Sequence, residues 1–155
     1  MDNERDTPGV VAPPPLIFLG GLLVGALISW FFPAEFMPKT LAIVAGVALT
    51  IVGSAIIVAT IGQMRRAKTN VEPWKPTTAI LDSGLYAVSR NPIYLAMSLI
   101  YLGVACLFNS IWLLPILPVI LLVIHYGVIA REEAYLTAKF GADYLNYKNR
   151  VRRWL

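Results

Sequence analysis

Four long apolar runs constrain this chain more than any other feature. They cover approximately residues 16–32, 41–64, 93–108 and 111–130. A helix needs about 20 residues to cross a bilayer, and a range of about 17–25 is tolerated. The second and fourth runs meet this length, whereas the first and third are short and need flanking residues or a locally thinner bilayer. The pattern predicts an all-α integral membrane protein with four transmembrane helices.

The composition agrees with a single membrane-embedded domain. Hydrophobic residues make up 57% of the chain and charged residues only 14%, which is too few charges for a soluble domain. We interpret residues 1–155 as one domain: a mobile tail (1–15), two scaffold helices (16–64), and the functional part (65–155). Cys106 is the only cysteine, so no disulfide is predicted, and packing is favoured over a catalytic thiol. No metal site is predicted.

The basic residues are concentrated between and after the apolar runs. Of thirteen Lys and Arg, five lie in the linker 65–90 and six in the tail that starts at Arg131. Four helices with both termini in the cytoplasm place these eleven, together with Arg5, on the inner face, as the positive-inside rule expects. The net charge of +4 therefore indicates topology and attraction to anionic membrane lipid, and no nucleic-acid partner is predicted.

The last two apolar runs form a helical hairpin with polar clusters at its open end. Only Asn109 and Ser110 separate the runs, so the two helices should be antiparallel neighbours. This brings the cluster 90–92, before the third helix, next to the cluster 131–133, after the fourth. Charge at the mouth of a membrane span is costly and usually functional. The clusters therefore predict a site.

The first cluster, Arg90-Asn91-Pro92, has the pattern of a helix start. Asn is a favoured N-cap residue, and Pro suits the first helical position. The free amides of that first turn, together with Arg90, would suit an anionic group such as a carboxylate. The alternative is that Asn91 only caps the helix while Arg90 reaches a lipid phosphate.

The second cluster supplies acidic groups. His125 precedes Glu132 by seven residues, which places both on one face of an α-helix, two turns apart. His125 is either a hydrogen-bonded packing residue, which we favour, or a base. Glu132 or Glu133 either pairs with Arg131 or Lys139, or faces the start of the third helix and holds a cationic ligand.

An aromatic stripe follows the hairpin. Gly141 is a predicted helix terminator, and Phe140, Tyr144, Tyr147 and Val151 recur at helical spacing. The stripe predicts an interfacial C-terminal helix that rests on the lipid headgroups, although it could also fold over the hairpin as a lid.

Glycines in the first two helices predict close packing. Gly21 and Gly25 form a small-x-x-x-small pattern in the first helix, and Gly46 and Gly53 lie in the second. Such residues let helix backbones approach closely. We favour packing within the chain over a dimer interface.

The ordered series of motifs in the C-terminal half, from Pro73 onwards, resembles the isoprenylcysteine carboxyl methyltransferase and phospholipid methyltransferase superfamily. Several elements recur in order, at matching spacing, around a membrane hairpin. They are Gly84-x-Tyr86-x-x-x-Arg90-Asn91-Pro92-x-Tyr94 and Glu132-Glu133-x-x-Leu136-x-x-x-Phe140-Gly141-x-x-Tyr144-x-x-Tyr147.

The resemblance implies an integral membrane enzyme that transfers the methyl group of S-adenosylmethionine, held between the hairpin, the linker and the C-terminal tail. The residues that the resemblance assigns to the cofactor are Leu81, Tyr86, Asn91, Pro92, Tyr94, Glu132 and Glu133.

The chemistry of these residue types suits that cofactor. Glu132 can accept from its ammonium or ribose hydroxyls, Arg90 and the Asn91 helix start can bind its carboxylate, and tyrosines can face the sulfonium through cation–π contact. Methyl transfer needs alignment of the reacting atoms more than acid–base help. Where the acceptor must lose a proton, His125 or Glu133 could take it. Arg90, His125 and Glu133 are therefore the candidate catalytic residues.

The acceptor is predicted only by class. The superfamily's eukaryotic enzymes usually have His where this chain has Asn91, and the Asn form is similar to the bacterial branch, which predicts a bacterial inner membrane. The prenylcysteine enzymes have a substrate-contacting Arg where this chain has Val128. We expect a lipophilic acceptor, a carboxylate or thiol, that enters from the bilayer. The alternatives are a phosphatidylethanolamine-type N-methyltransferase, a non-catalytic membrane binding or assembly module, and a membrane reductase.

Overall fold

The computed structural model describes residues 6–72 and 75–155, so Arg5 and Pro73, used above, lie outside the described residues. The described residues form helices and connecting segments without strands. The helices are α1 (Pro14–Phe31), α2 (Lys39–Arg66), α3 (Pro92–Phe108), α4 (Leu113–Ile124), α5 (Ala130–Phe140) and α6 (Ala142–Arg150), with a 3-10 turn at Gly84–Ala87 and a π-turn at His125–Ile129.

Three of the helical stretches are long and apolar enough to cross a membrane. They are α1, α2 and the continuous helix Leu113–Phe140, which contains α4, the π-turn and α5. The fourth apolar helix, α3, is shorter, with 17 residues. Large apolar side chains cover the outer faces, where Leu27, Ile51 and Val58 are each more than 60% exposed. Such a surface suits lipid rather than water. The chain is an all-α integral membrane protein, as predicted.

The α1–α2 and α3–α4 turns contact each other at one end of the molecule. Asn109 ends α3 with a left-handed backbone (φ 47°), and its Nδ2 donates to the Met37 carbonyl at 2.8 Å. The amide of Ile111 donates to the Ala34 carbonyl at 3.0 Å. The hairpin turn comprises residues 109–112 rather than the two predicted residues. The polar clusters lie at the opposite end.

Glycines bring α2 and α3 into backbone contact. A Cβ added to Gly46 would lie 2.9 Å from the Gly103 carbonyl oxygen, and one added to Gly103 would lie 2.9 Å from that of Gly46. Gly53 approaches the Ala96 carbonyl in the same way. Distances this short exclude a side chain at these positions. The predicted packing within the chain is confirmed for α2.

The glycines of α1 serve the same purpose against α4. A Cβ on Gly21 would collide with the side chain of Ile120, and one on Gly25 would collide with that of Leu113. The Tyr101 hydroxyl of α3 donates to the Leu113 carbonyl at 3.0 Å, which joins the two helices of the hairpin. The first two helices therefore support the hairpin, as the sequence predicts.

A π-turn changes the register of the last long helix. It contains one residue more than an α-helical turn would, so residues on either side of it move to new faces. The prediction that His125 and Glu132 share a face assumes an uninterrupted α-helix and is wrong. His125 instead lies on the side of Glu133, because both contact Arg153.

The segment before α1 is attached to the helix bundle. The sequence predicts a mobile tail over residues 1–15; residues 1–5 lie outside the described residues. Of the rest, Asp6, Gly9 and Val11 make hydrogen bonds to the continuous helix Leu113–Phe140, and Pro14 already belongs to α1. This part of the tail is held in place.

Candidate functional site

A cleft of about 890 Å³, partly open to solvent, lies where α3 begins and α5 follows the π-turn. Its lining is mostly apolar with a few polar groups, as is typical of small-molecule sites. Every residue that the sequence assigns to the cofactor lines the cleft, and so does Arg90; His125 does not. The predicted residues in the lining are Leu81, Tyr86, Arg90, Asn91, Pro92, Tyr94, Glu132 and Glu133.

Helix α3 begins at the cleft as the sequence predicts. Asn91 is the residue before the helix, and Pro92 is the first helical residue. The Asn91 side chain, however, does not cap the helix. Its Nδ2 donates to the Arg153 carbonyl at 2.9 Å, while its backbone amide donates to Ser89 Oγ at 3.1 Å. The expected capping role is therefore wrong, and Asn91 instead holds the C-terminal tail against the start of α3.

Tyr94 and Glu132 connect α3 to α5 across the cleft. The Tyr94 hydroxyl donates to Glu132 Oε1 at 2.7 Å. Within the described part of the chain, Glu132 forms no ion pair, and no hydrogen bond reaches its Oε2. A carboxylate in a cleft is costly without a partner. Glu132 is thus positioned by Tyr94 and available to a cationic or hydrogen-bond-donating ligand.

Glu133 has the opposite environment, because three cations surround it. Its carboxylate accepts from Arg90 at 2.8 Å and from Arg153 through both oxygens, at 2.8 and 2.6 Å. Lys148 Nζ lies 3.2 Å from Oε2. The Glu133 side chain is only 8% exposed. A carboxylate held by several cations is a weak base, so this geometry favours a structural role over the predicted catalytic one.

Arg90 is a buried link in the same cluster. Its side chain is 8% exposed; Nη2 binds Glu133 and Nη1 donates to the Lys148 carbonyl at 2.9 Å. Its Nε is buried and has no hydrogen-bond acceptor among the described residues. The Nη1 and Nη2 atoms therefore each have an acceptor in the protein, whereas the buried Nε has none among the described residues.

His125 lies outside the cleft. Its Nε2 is 2.7 Å from Nη1 of Arg153. Because a guanidinium only donates, this contact requires an unprotonated Nε2 whose lone pair is already used. His125 lines a separate apolar groove with Tyr126 and Trp154. The geometry agrees with the favoured packing interpretation, and a role as base in the cleft is not supported.

Tyr86 is positioned by a turn that requires glycine. Gly84 has φ +57°, and a Cβ there would collide with the Gln63 side chain of α2. Gln63 also holds the 3-10 turn in place, because its Oε1 accepts from the Leu85 amide at 3.2 Å. Burial, helped by the charge of Glu132, raises the pKa of the Tyr86 phenol well above its ordinary value. Tyr86 therefore presents a neutral ring to the cleft.

The aromatic stripe of α6 closes the cleft. Tyr144 and Tyr147 are buried, and the Tyr147 hydroxyl donates to the Tyr86 carbonyl at 2.8 Å. Burial, with a contribution from Glu133, raises the pKa of the Tyr144 phenol to about 12. The tyrosine stripe faces the cleft, as expected of a lid, and the interfacial position of the helix stays a prediction. Gly141, at φ 54°, separates α5 from α6.

Three parts of the site are not predicted from the sequence. Arg153 and Lys148 complete the Glu133 cluster, yet the sequence indicates only that the tail is basic. Pro8 lines the cleft from the segment before α1, and Tyr135 lines it from α5. Tyr135 occupies an unspecified position of the second motif, between Glu133 and Leu136, so no pattern singled it out.

Together, the fold and the cleft define a helical integral membrane protein with a small-molecule site at one end of its helices. The family model described as phospholipid methyltransferase matches residues 41–143, about two thirds of the chain. The chain belongs to the phospholipid methyltransferase family, part of the isoprenylcysteine carboxyl methyltransferase superfamily, as its motifs predict. This is a family of membrane methyltransferases.

One curated relative matches part of the chain. A protein of Haemophilus influenzae, named only "Uncharacterized protein", is 47% identical over 64 residues, which are 41% of this chain and 100% of that protein. No solved structure matches the chain. The matched family region ends before Lys148 and Arg153, and it begins after α1.

Proposed function

We propose that the protein is an S-adenosylmethionine-dependent methyltransferase that acts on a lipophilic acceptor, a carboxylate or thiol, entering from the bilayer. The observation that carries this proposal is the pairing of Tyr94 with Glu132 at 2.7 Å, in a cleft that also contains Asn91. It joins the two motif clusters at one small-molecule site.

The donors and acceptors in the cleft fit this cofactor. Glu132, without a cationic partner in the described chain, suits an ammonium or ribose hydroxyls. Arg90 Nε, buried and without an acceptor among the described residues, suits a carboxylate, as do the first-turn amides of α3, which have no intrahelical acceptor. The neutral rings of Tyr86 and Tyr144 suit a sulfonium. When bound, the cofactor supplies an electrophilic methyl group.

The protein's own contribution is alignment and exclusion of water. The tyrosines of α6 cover the cleft, and the Glu133 cluster fixes the C-terminal tail against α3. Holding two reactants in line can lower a barrier by several kcal/mol, out of a maximum of about 7–11 kcal/mol for ideal alignment. A carboxylate or thiolate acceptor needs no base. This agrees with a cleft in which Glu133 is held by cations and His125 is absent.

We also propose four transmembrane crossings with both termini in the cytoplasm of a bacterial inner membrane. The support is the charge pattern: the cleft end of the molecule carries the basic linker and tail, as the positive-inside rule expects. The 17-residue α3 crosses with help from its flanking residues.

Binding of S-adenosylhomocysteine, the demethylated product, tests the cofactor assignment. Isothermal titration calorimetry on the detergent-purified protein should detect binding, and Glu132→Gln should weaken it about fivefold or more, since the change from a charged to a neutral hydrogen-bond acceptor costs about 1 kcal/mol for each ligand donor. Asp143→Asn removes an equal charge from α6 outside the cleft and should bind normally. Absence of heat in the wild type would remove the enzyme assignment and favour a non-catalytic module.

The acceptor is tested by transfer of a radiolabelled methyl group into a total lipid extract. Label released by alkali as a methyl ester supports carboxyl methylation. Label retained in an aminolipid supports the second candidate, N-methylation of a phosphatidylethanolamine-type headgroup, a phospholipid acceptor of the kind named in the description of the matched family.

A further inference from the structure

The segment that precedes α1 runs along the outside of the α4–α5 helix and is bonded to it repeatedly. The Val11 amide donates to the Gly127 carbonyl at 3.1 Å, and Arg131 Nη1 donates to the Gly9 carbonyl at 2.7 Å. We call residues 6–11 the strap. On the side of the strap, both bonds are made by backbone atoms, so they do not depend on the strap's side chains.

The outer end of the strap is held by an exposed polar latch. The Asp6 carboxylate accepts from Lys139 Nζ at 2.7 and 2.8 Å and from the Tyr135 hydroxyl at 2.7 Å. The same hydroxyl accepts from the Thr77 amide of the linker at 3.2 Å. The latch therefore joins the strap, α5 and the linker at one point.

The latch stands at the cleft itself. Pro8, Thr77 and Tyr135 all line the cleft, so the strap and the linker form adjoining parts of its wall. Asp6 and Lys139 are 56% and 28% exposed, and exposed ion pairs are individually weak and screened by salt. This edge of the wall is therefore the part that opens most easily, whereas the opposite side rests on the buried Glu133 cluster.

The π-turn provides the second attachment of the strap. Gly127 lies within it, and its carbonyl accepts from the Val11 amide. A Cβ on Gly127 would lie 3.0 Å from Val11 Cγ2, so glycine lets the strap lie against the helix. The strap lies outside the region that matches the family model, which makes it a feature of this chain beyond the shared family region.

We propose that the strap is a movable wall of the cleft, and that opening of the Asp6 latch controls entry and release of the nucleoside ligand. The ligand's identity rests on the proposed function; the attachment of the strap does not. A closed strap shields the cleft from water, and an open one exposes Pro8 and the neighbouring lining.

Cysteine labelling tests the strap directly. Cys106 is buried in α3 and can be replaced by Ser, so that Pro8→Cys carries the only thiol. The rate of maleimide modification is then measured in detergent for three proteins: this parent with the latch intact, the parent with Asp6→Asn, and the parent with Asp143→Asn. The last change removes the same charge and serves as the control. S-adenosylhomocysteine is added in a parallel series, and calorimetry reports whether it binds.

We expect Asp6→Asn to speed labelling about two- to fivefold, the range that an exposed ion pair supports, and Asp143→Asn to leave it unchanged. Added salt should speed labelling of the parent more than of Asp6→Asn. Bound S-adenosylhomocysteine should slow labelling in the parent and dissociate faster from Asp6→Asn.

Equal labelling rates in the two Asn variants would overturn the latch, whether or not the nucleoside binds. If calorimetry shows that S-adenosylhomocysteine binds but the labelling rate does not change, the proposal that the strap controls ligand exchange is overturned. If Asp6→Asn speeds labelling but the protein binds no nucleoside, the proposed cofactor and the strap's role in its exchange are refuted. The attachment of the strap by the latch would still be supported.

Discussion

Replacing Glu133 by Gln should destabilise the fold, whereas the same change at Glu132 should mainly affect ligand binding. Two adjacent glutamates of one helix differ this much because of their partners. Glu133 is buried and bound by Arg90, Arg153 and Lys148. Glu132 accepts one hydrogen bond, from Tyr94.

The expected magnitude for Glu133→Gln follows from which of its partners are buried. Arg90 is as buried as Glu133, each side chain being 8% exposed. Removing one member of a buried ion pair costs about 3–5 kcal/mol, since the other charge stays buried and uncompensated. Arg153 and Lys148 are 28% and 37% exposed, so water compensates them in part and each adds about 1 kcal/mol or less. We therefore expect a loss of about 3–7 kcal/mol.

For Glu132→Gln the same reasoning gives a much smaller loss. The amide oxygen of Gln still accepts from the Tyr94 hydroxyl, so the change only converts a charged hydrogen bond into a neutral one. That difference is about 1 kcal/mol, and no ion pair is broken within the described chain. Glu132→Gln therefore serves as the matched control, with an identical chemical change one residue away.

The assay is thermal unfolding of the ligand-free proteins in one detergent, followed by circular dichroism. Glu133→Gln should lower Tm clearly, and Glu132→Gln should lower it only slightly. For the folded proteins the order should reverse, so that Glu132→Gln weakens S-adenosylhomocysteine binding more than Glu133→Gln does. Equal Tm values for the two variants would refute the structural role of Glu133. A Glu133→Gln protein that keeps its Tm but loses methyl transfer would restore Glu133 as the catalytic base.

Three further predictions concern the cleft and the helix packing. Tyr94→Phe should weaken S-adenosylhomocysteine binding about tenfold, because Glu132 loses a hydrogen bond worth about 1.5–3 kcal/mol; calorimetry measures this, and an unchanged affinity would separate Tyr94 from the ligand. His125→Asn should reduce the rate of methyl transfer by less than tenfold, since loss of a general base costs about 10²–10⁴-fold; a larger loss in kinetic assays would return His125 to the mechanism. Gly103→Ala should cost about 1–3 kcal/mol by overpacking against α2, visible as a lower Tm, whereas Gly20→Ala, which meets nothing within 4 Å, should not.

The sequence predicts the end of the molecule that carries the site because short-range rules decide it. Asn91-Pro92 starts a helix for local steric reasons, and Gly141 ends one through its positive φ. A short turn after α3 then forces the two polar clusters to one end. These are properties of neighbouring residues, so they can be read without knowledge of the tertiary structure.

The partners within the site depend on tertiary packing and were not predictable. Arg153 binds Glu133 across 20 residues, and a run of basic residues does not indicate which of them will do so. The strap contacts α5 across more than 120 residues. The polar, proline-terminated segment before α1 resembles a free tail, because its bonds are made by backbone atoms and one carboxylate, and neither indicates its partner in the sequence.

The π-turn explains why adjacent glutamates acquire different roles. In a continuous α-helix, His125 would share a face with the residue seven positions later, which is Glu132. Because of the extra residue in the π-turn, Glu133 lies on the same face as His125 instead. Both side chains contact Arg153. Glu132 is thereby turned towards Tyr94 and the cleft. The all-round apolar character of this helix conceals the change of register in the sequence, yet the register decides which carboxylate is neutralised and which is left for a ligand.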